Sequence, residues 1–255
     1  MNLGTRVSVA LAMPTLPAMR YFLLLPFLVI SLASAGPTTI TATGTMTSQY
    51  IYRGISQSDN HPAPQGSLII AKDGWYGGLW ASKADYDDKM TEYELDGFVG
   101  KHWQVDKLDA DVHVLKYDYP DTKAAYQYGN WRAGLGTGYR VGDGRIGVYT
   151  DRYDNHFGSG HSHYYELNGM YPLGGYTFKA SIGKQHFSDN VRMGLPDFTY
   201  THLGVSHPWK GFNFTVALDR SDISSREQCF YGHDWCGTHF NLQVSRSFTL
   251  FKSEH

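Results

Sequence analysis

Apolar and polar residues alternate along twelve short segments between Thr38 and Phe251. In segment five, Leu108, Ala110, Val112 and Val114 alternate with Asp109, Asp111 and His113. Segment six sets Trp131, Ala133 and Leu135 against Asn130, Arg132, Gly134, Gly136 and Gly138, and segment eleven sets Phe212, Phe214, Val216 and Leu218 against Asn213, Thr215 and Asp219. The same alternation runs through segment four (Tyr93, Leu95, Val99), segment nine (Tyr176, Phe178, Ala180, Ile182) and the last (Phe240, Leu242, Val244, Phe248, Leu250). Successive side chains of a strand face opposite sides, so this period predicts strands with one oily and one wet face. The first strand is expected over Thr39–Tyr52, with Thr39, Thr41, Thr43, Thr45 and Thr47 on one face. Segments two (Gln65–Ala71), three (Trp75–Ser82), seven (Arg145–Tyr153), eight (His163–Tyr171) and ten (Phe198–His207) alternate less strictly. Many segments approach the ~9–11 residues that a tilted strand needs to cross a bilayer.

The connections alternate as well. Lys72-Asp73-Gly74, Val105-Asp106-Lys107, Val141-Gly142-Asp143, Pro172-Leu173-Gly174-Gly175 and Pro208-Trp209-Lys210-Gly211 are tight turns, each after an even-numbered segment. After odd-numbered segments the chain is longer and polar: Arg53–Pro64, Lys83–Thr91, Asp118–Gln127, Asp154–Ser162, Ser188–Asp197 and Ser221–Thr238. A bacterial outer-membrane barrel has this asymmetry, with short periplasmic turns and long external loops.

A secreted sandwich or lipocalin-like barrel would also alternate, with its oily face inward. The smallness of the polar face (Gly, Ser, Thr, Asn), the aromatics near strand ends and the sorted connections favour the membrane barrel. The expected fold is therefore all-β: a single antiparallel transmembrane barrel of about 12 strands. Composition agrees, since 15% of residues are aromatic and 19 are Tyr, residues favoured at headgroup level. The formal charge of −2 gives no encouragement to nucleic-acid binding.

Residues 1–35 are expected to be an export signal and 36–255 the barrel. Arg20 precedes the apolar run Tyr21–Leu32, and Ala33-Ser34-Ala35 offers a cleavage site. Met19 makes an equally good start. Cys229 and Cys236 bracket a short stretch of the longest connection and suit an oxidising compartment, where a disulfide would restrain the loop tip; Trp235 between them is a candidate exposed binding knob.

The stretch Thr47-Ser48-Gln49-Tyr50-Ile51-Tyr52-Arg53-Gly54-Ile55-Ser56-Gln57-Ser58-Asp59-Asn60, followed by Pro64-Gln65-Gly66, resembles the TorF-like family of outer-membrane porins. Gly74-Trp75-Tyr76-Gly77-Gly78-Leu79-Trp80-Ala81-Ser82, Glu94-Leu95-Asp96 and Tyr117-Asp118-Tyr119-Pro120 extend the likeness over most of residues 36–255. The resemblance implies an outer-membrane channel without an established substrate, and no catalytic residues. Such barrels usually end on an aromatic residue that the barrel-assembly machinery reads. Here Phe251 is followed by Lys252-Ser253-Glu254-His255 and is out of phase with Phe248 and Leu250.

Alternation places Glu94, Asp96, Asp109, Asp111, His113, Arg132, Arg140 and Lys179 on the lumen face. Acids on one wall and bases on another would set up a transverse field that sorts solutes by charge. The same residues could instead close the bore as structural partners, and both readings stay open. Arg53, Ser56 and Gln57 are candidates at the mouth, although Arg53 equally suits an anchor for the first loop. His156, His161, His163, His186 and His239 gather near one end, but no metal signature surrounds them, so no metal or cofactor is expected.

The function that follows is passive diffusion of small hydrophilic solutes through a narrow, charge-lined lumen in the bacterial outer membrane, with lipid around the wall. A closed barrel that serves as a structural or surface-binding element is the alternative. An outer-membrane hydrolase is a weaker one, because no nucleophile-centred motif appears.

Overall fold

The computed structural model describes residues 36–253 except 89, 124–127 and 231, so the expected export signal lies outside the described residues. The strands are β1 (Thr39–Thr47), β2 (Ile51–Tyr52), β3 (Ile55–Ser56), β4 (Ala63–Lys72), β5 (Trp75–Lys83), β6 (Tyr93–Val105) and β7 (Leu108–Asp118). They continue with β8 (Asn130–Val141), β9 (Gly144–Tyr153), β10 (Ser162–Leu173), β11 (Tyr176–Phe187), β12 (Phe198–Trp209), β13 (Phe212–Ser221) and β14 (Thr238–Lys252). All but β2 and β3 form one closed antiparallel barrel of twelve strands, in which each pairs with its chain neighbours and β14 closes onto β1.

Tight turns pin the register at one end. Asp73-Gly74, Gly174-Gly175 and Lys210-Gly211 carry positive φ at both positions and join Lys72 to Trp75, Leu173 to Tyr176 and Trp209 to Phe212. Two successive positive φ values match the twist of the flanking strands.

The oily rows face outward. Leu68, Leu79, Val99, Val112, Leu135, Val148, Leu167, Ile182, Leu203, Val216 and Leu242 are all exposed on the wall. The hydrophobic clusters instead lie at the long-loop end, where loops fold over the lumen. One joins Ile55, Phe187, Met193, Leu195, Phe198, Ile223, Cys229 and Trp235. The other joins Leu115, Tyr117, Tyr119 and Tyr153.

Two expectations change. The first strand stops at Thr47 instead of Tyr52, because Arg53 (φ 51) and Gly54 (φ 74) make a turn that folds β2 back on β3. Phe251 is in phase with Phe248 after all. The register slips between Ile40 and Thr41, so Ile40 pairs Phe251, Thr41 pairs Thr249, and Leu250 is the extra residue of a bulge. Both aromatics thereby join the exposed outer row.

Candidate functional site

The lumen divides at mid-height. In its long-loop half, the β2–β3 hairpin turns inward and seats Arg53 against the barrel wall. Arg53 Nη2 donates to Asp151 on β9, and Nη1 donates to Gln185 Oε1 on β11 at 2.7 Å. The guanidinium carbon stands 3.5 Å from the Tyr164 ring centroid. Arg132 Nη1 lies 3.8 Å from the same Asp151 carboxylate and donates to the Tyr52 hydroxyl at 2.8 Å. Tyr52, Tyr153 and Tyr117 continue this chain of hydroxyl contacts at 2.7 and 3.1 Å. Close approach needs Gly54: a Cβ there would lie 2.5 Å from the backbone nitrogen of Ser221.

Glu94 and Asp96, on the inner face of β6, are 1% and 5% exposed. Tyr50 donates to Glu94 Oε1 at 3.3 Å. Burial first, then the Glu94 charge, pushes the Tyr50, Tyr86 and Tyr119 hydroxyls well above their ordinary range, so all three remain donors. Tyr86 hydrogen-bonds Gln57 Oε1 at 2.9 Å and packs edge-on against Tyr128 and Phe157.

Arg53, Ser56 and Gln57 are therefore buried inside the barrel mouth, not displayed on it. The physical reason is the turn at Arg53-Gly54, which aims the hairpin inward. Trp235 is likewise no exposed knob. It is 4% exposed, donates to Asp59 Oδ1 at 2.7 Å and stacks on His233. The Cys229–Cys236 disulfide forms and packs in the same cluster.

The histidines separate. His156 is buried, stacked on Tyr153 at 4.0 Å and bonded through Nδ1 to Ser162 Oγ at 2.7 Å. Burial first, then Arg53 and Arg132, lowers its pKa to about 3, so it is neutral. His239 contacts the Trp235 carbonyl, His186 contacts Asp197, and the His161 and His163 rings are 5.7 Å apart. Among the described residues, ligand atoms within 4.8 Å of one another come from Asp59, His61 and Asp85, none of them in that histidine group.

The short-turn half of the lumen is polar and less crowded. Arg145 on β9 clamps Asp109 on β7, with Nη2–Oδ1 at 2.6 Å and Nε–Oδ2 at 2.9 Å, and reaches Asn168 at 3.1 Å. Asp111 accepts from Tyr76 at 3.0 Å and contacts His113 at 2.9 Å, and Tyr149 bridges His113 to Asp151. Arg145 and Asp109 thus pair along one wall, across the intervening strand β8. Lys179 and Arg140 are exposed on the inner rows and form no ion pair among the described residues. The opposite wall is neutral: Thr41, Thr43 and Thr45 on β1 pair with Thr249, Ser247 and Ser245 on β14.

Arg145, Asp151, Tyr149, Tyr164 and Gln185 were not among the expected lumen residues. Alternation within segments seven, eight and nine already puts them on the wet face. Their partners come from distant strands and leave no local signal.

The family profile of Gcw_chp, described as a bacterial protein of unknown function, matches residues 32–248. The chain belongs to the Gcw_chp family. No curated protein matches its sequence. Among solved structures it is similar to the "KdgM porin in complex with disordered oligogalacturonate", with TM-score 0.53, 11% identity, and 82% of this chain and 99% of that chain covered. It is also similar to the NanC porin, with TM-score 0.52, 10% identity and coverage of 84% and 100%. At these identities the likeness is one of fold.

Proposed function

We propose that the barrel is an outer-membrane channel for small hydrophilic solutes, held shut at its long-loop half by the β2–β3 hairpin. The observation that carries this reading is a hydrophilic lower lumen beneath a seal made by a single short hairpin. The seal is a loop segment fixed by side-chain contacts, above all Arg53 on Asp151 and Gln185. The long loops face outward, as the tight turns at the other end suggest for the periplasm. Lys179, Arg140, Asp109, Asp111 and His113 line the path, and Glu94, Asp96 and Arg132 belong to the closed half. The likeness of Thr47–Asn60 to TorF-like porins supports the reading, and no catalytic role enters it.

Planar-bilayer recording tests it. Wild-type protein should show rare or small openings, and Arg53→Ala should open more often or conduct more. Silence from both proteins at every voltage overturns the channel. It would favour the second reading, a closed barrel that works through its outer loops, to which the buried Arg53–Asp151 seat also lends weight. Deletion of residues 222–237 should then abolish surface binding.

A further inference from the structure

The outer wall carries a second pattern, independent of the lumen. Lys116 on β7, Arg152 on β9, Lys184 on β11 and Arg220 on β13 lie within the last four residues of their strands, at the long-loop end. The register puts all four on the outward rows: Lys116 beside Trp131, Arg152 beside His163, Lys184 beside Tyr165 and Arg220 beside Thr201. Neighbouring strands are about 4.8 Å apart, so cations on alternate strands recur roughly every 10 Å around the wall.

None of these four forms an ion pair among the described residues. The carboxylates of the same rim accept from backbone groups, including Asp118, exposed two residues beyond Lys116, which accepts from the Tyr119 backbone at 3.1 Å. Asp154 accepts from the Trp131 backbone at 2.8 Å, Asp197 from Phe187 at 2.9 Å and Asp222 from Thr199 at 2.8 Å. The rim therefore presents cations while its acids hold strand ends. Lys116 lies over the exposed Trp131 ring at 5.7 Å, a stem-on-aromatic arrangement suited to a headgroup boundary. Below Lys184 and Tyr165, the exposed side chains of Leu135, Val148, Leu167 and Ile182 form an apolar groove.

We propose that this rim holds phosphorylated glycolipid of the outer leaflet, its phosphates on Lys116, Arg152, Lys184 and Arg220 and an acyl chain in the groove. The inference rests on the membrane reading above, but not on an open lumen. A zwitterionic phospholipid fits less well, because its own ammonium competes for the phosphate. A headgroup with two phosphate monoesters offers net charge to successive cations.

Detergent-purified, delipidated protein titrated with diphosphorylated lipid A, dephosphorylated lipid A and phosphatidylethanolamine, read by native mass spectrometry, tests the site. The diphosphorylated lipid should be retained selectively, and less so as salt rises. Neutralisation by K116Q, R152Q, K184Q and R220Q should weaken retention about fivefold for each charge removed. The charge-conserving set K116R, R152K, K184R and R220K should keep it. Equal retention of the dephosphorylated lipid, or full retention by the neutral variants, overturns the proposal. If the combined neutral variant does not fold, the four single variants decide by the same criterion. Conductance in synthetic phosphatidylcholine is read separately. A silent barrel that still retains the phosphorylated lipid sinks the channel alone, and a conducting one that retains none sinks the lipid site alone.

Discussion

The Arg53 guanidinium carbon stands over Tyr164, 3.5 Å from the ring centroid, while its Nη2 donates to Asp151, whose side chain is fully buried. One residue from the first loop is thus tied to both β9 and β10, and through Gln185 to β11. The hairpin has little else in the way of regular pairing, only Ile51 with Ser56 and Tyr52 with Ile55. The seal depends on this side-chain seat more than on its own sheet.

Removing either partner should therefore loosen the seal without breaking the wall. Arg53→Ala leaves the buried Asp151 with the Tyr149 hydroxyl and the more distant Arg132, and Asp151→Asn leaves two buried guanidinium groups short of a carboxylate. Each should destabilise the seated hairpin by about 3–5 kcal/mol. Arg53→Lys keeps the charge but loses the fork that reaches Asp151 and Gln185 together, and should fall between. A cysteine placed at Ser56 reports the outcome: it should react slowly with a water-soluble thiol reagent in wild type and rapidly in Arg53→Ala. Equal protection in both would show that the seat does not hold the hairpin.

The wall was legible because lipid on one side and a wet lumen on the other impose a strict period of two. Leu108, Val112 and Val114 face outward and Asp109, Asp111 and His113 inward, as their alternation predicts. The inward hairpin was hidden for the opposite reason. Tyr50-Ile51-Tyr52 has strand propensity of its own, and only the Arg53-Gly54 pair signals a turn. What the hairpin meets, Asp151, Tyr164 and Gln185, lies 98 to 132 residues beyond Arg53 in sequence. Alternation also fixes faces but not partners, so Asp109 was readable as inward while its clamp by Arg145 was not. The bulge at Leu250 escaped because an extra residue breaks the very period used to read the strand.

The disulfide should act locally. Cys229–Cys236 closes a short loop that presses Trp235 into the cluster with Ile55 and Ile223. Reduction, or Cys229→Ala with Cys236→Ala, should destabilise that loop by about 2 kcal/mol. Trp235 emission should shift to the red and a protease should cut within the loop, while the melting temperature of the barrel stays put. A collapse of the whole barrel on reduction would contradict this separation.

Acid should loosen the same region through His156. Its folded pKa is lowered to about 3 by burial, then by Arg53 and Arg132, whereas an unfolded histidine titrates near ~6.5. Between these values the unfolded loop takes up a proton and the folded one does not. The stability of the loop cluster is then complete above pH ~6.5 and falls steadily as pH drops toward about 3. The hydrogen-exchange protection factors of residues 155–162, with the intrinsic pH dependence of exchange divided out, should fall over this window. His156→Gln, which cannot titrate, should flatten that limb; an unchanged slope in the variant would assign the acid sensitivity to other groups.

The bulge near the C-terminus makes a prediction of unusual sign, in which a deletion is tolerated. Ile40 pairs Phe251 and Thr41 pairs Thr249, so Leu250 is the residue without an opposite number. Removing it leaves Thr249 followed directly by Phe251, which restores a regular ladder and keeps Phe251 beside Ile40 on the outer face. Removing Leu242 from mid-strand does the reverse: it inverts the alternation of everything on one side of the cut and turns apolar side chains into the lumen. The folded fraction, judged by the heat-dependent gel mobility of the barrel, should stay near wild type for the Leu250 deletion and vanish for the Leu242 deletion. If the two deletions behave alike, the closing seam is held by something other than this register.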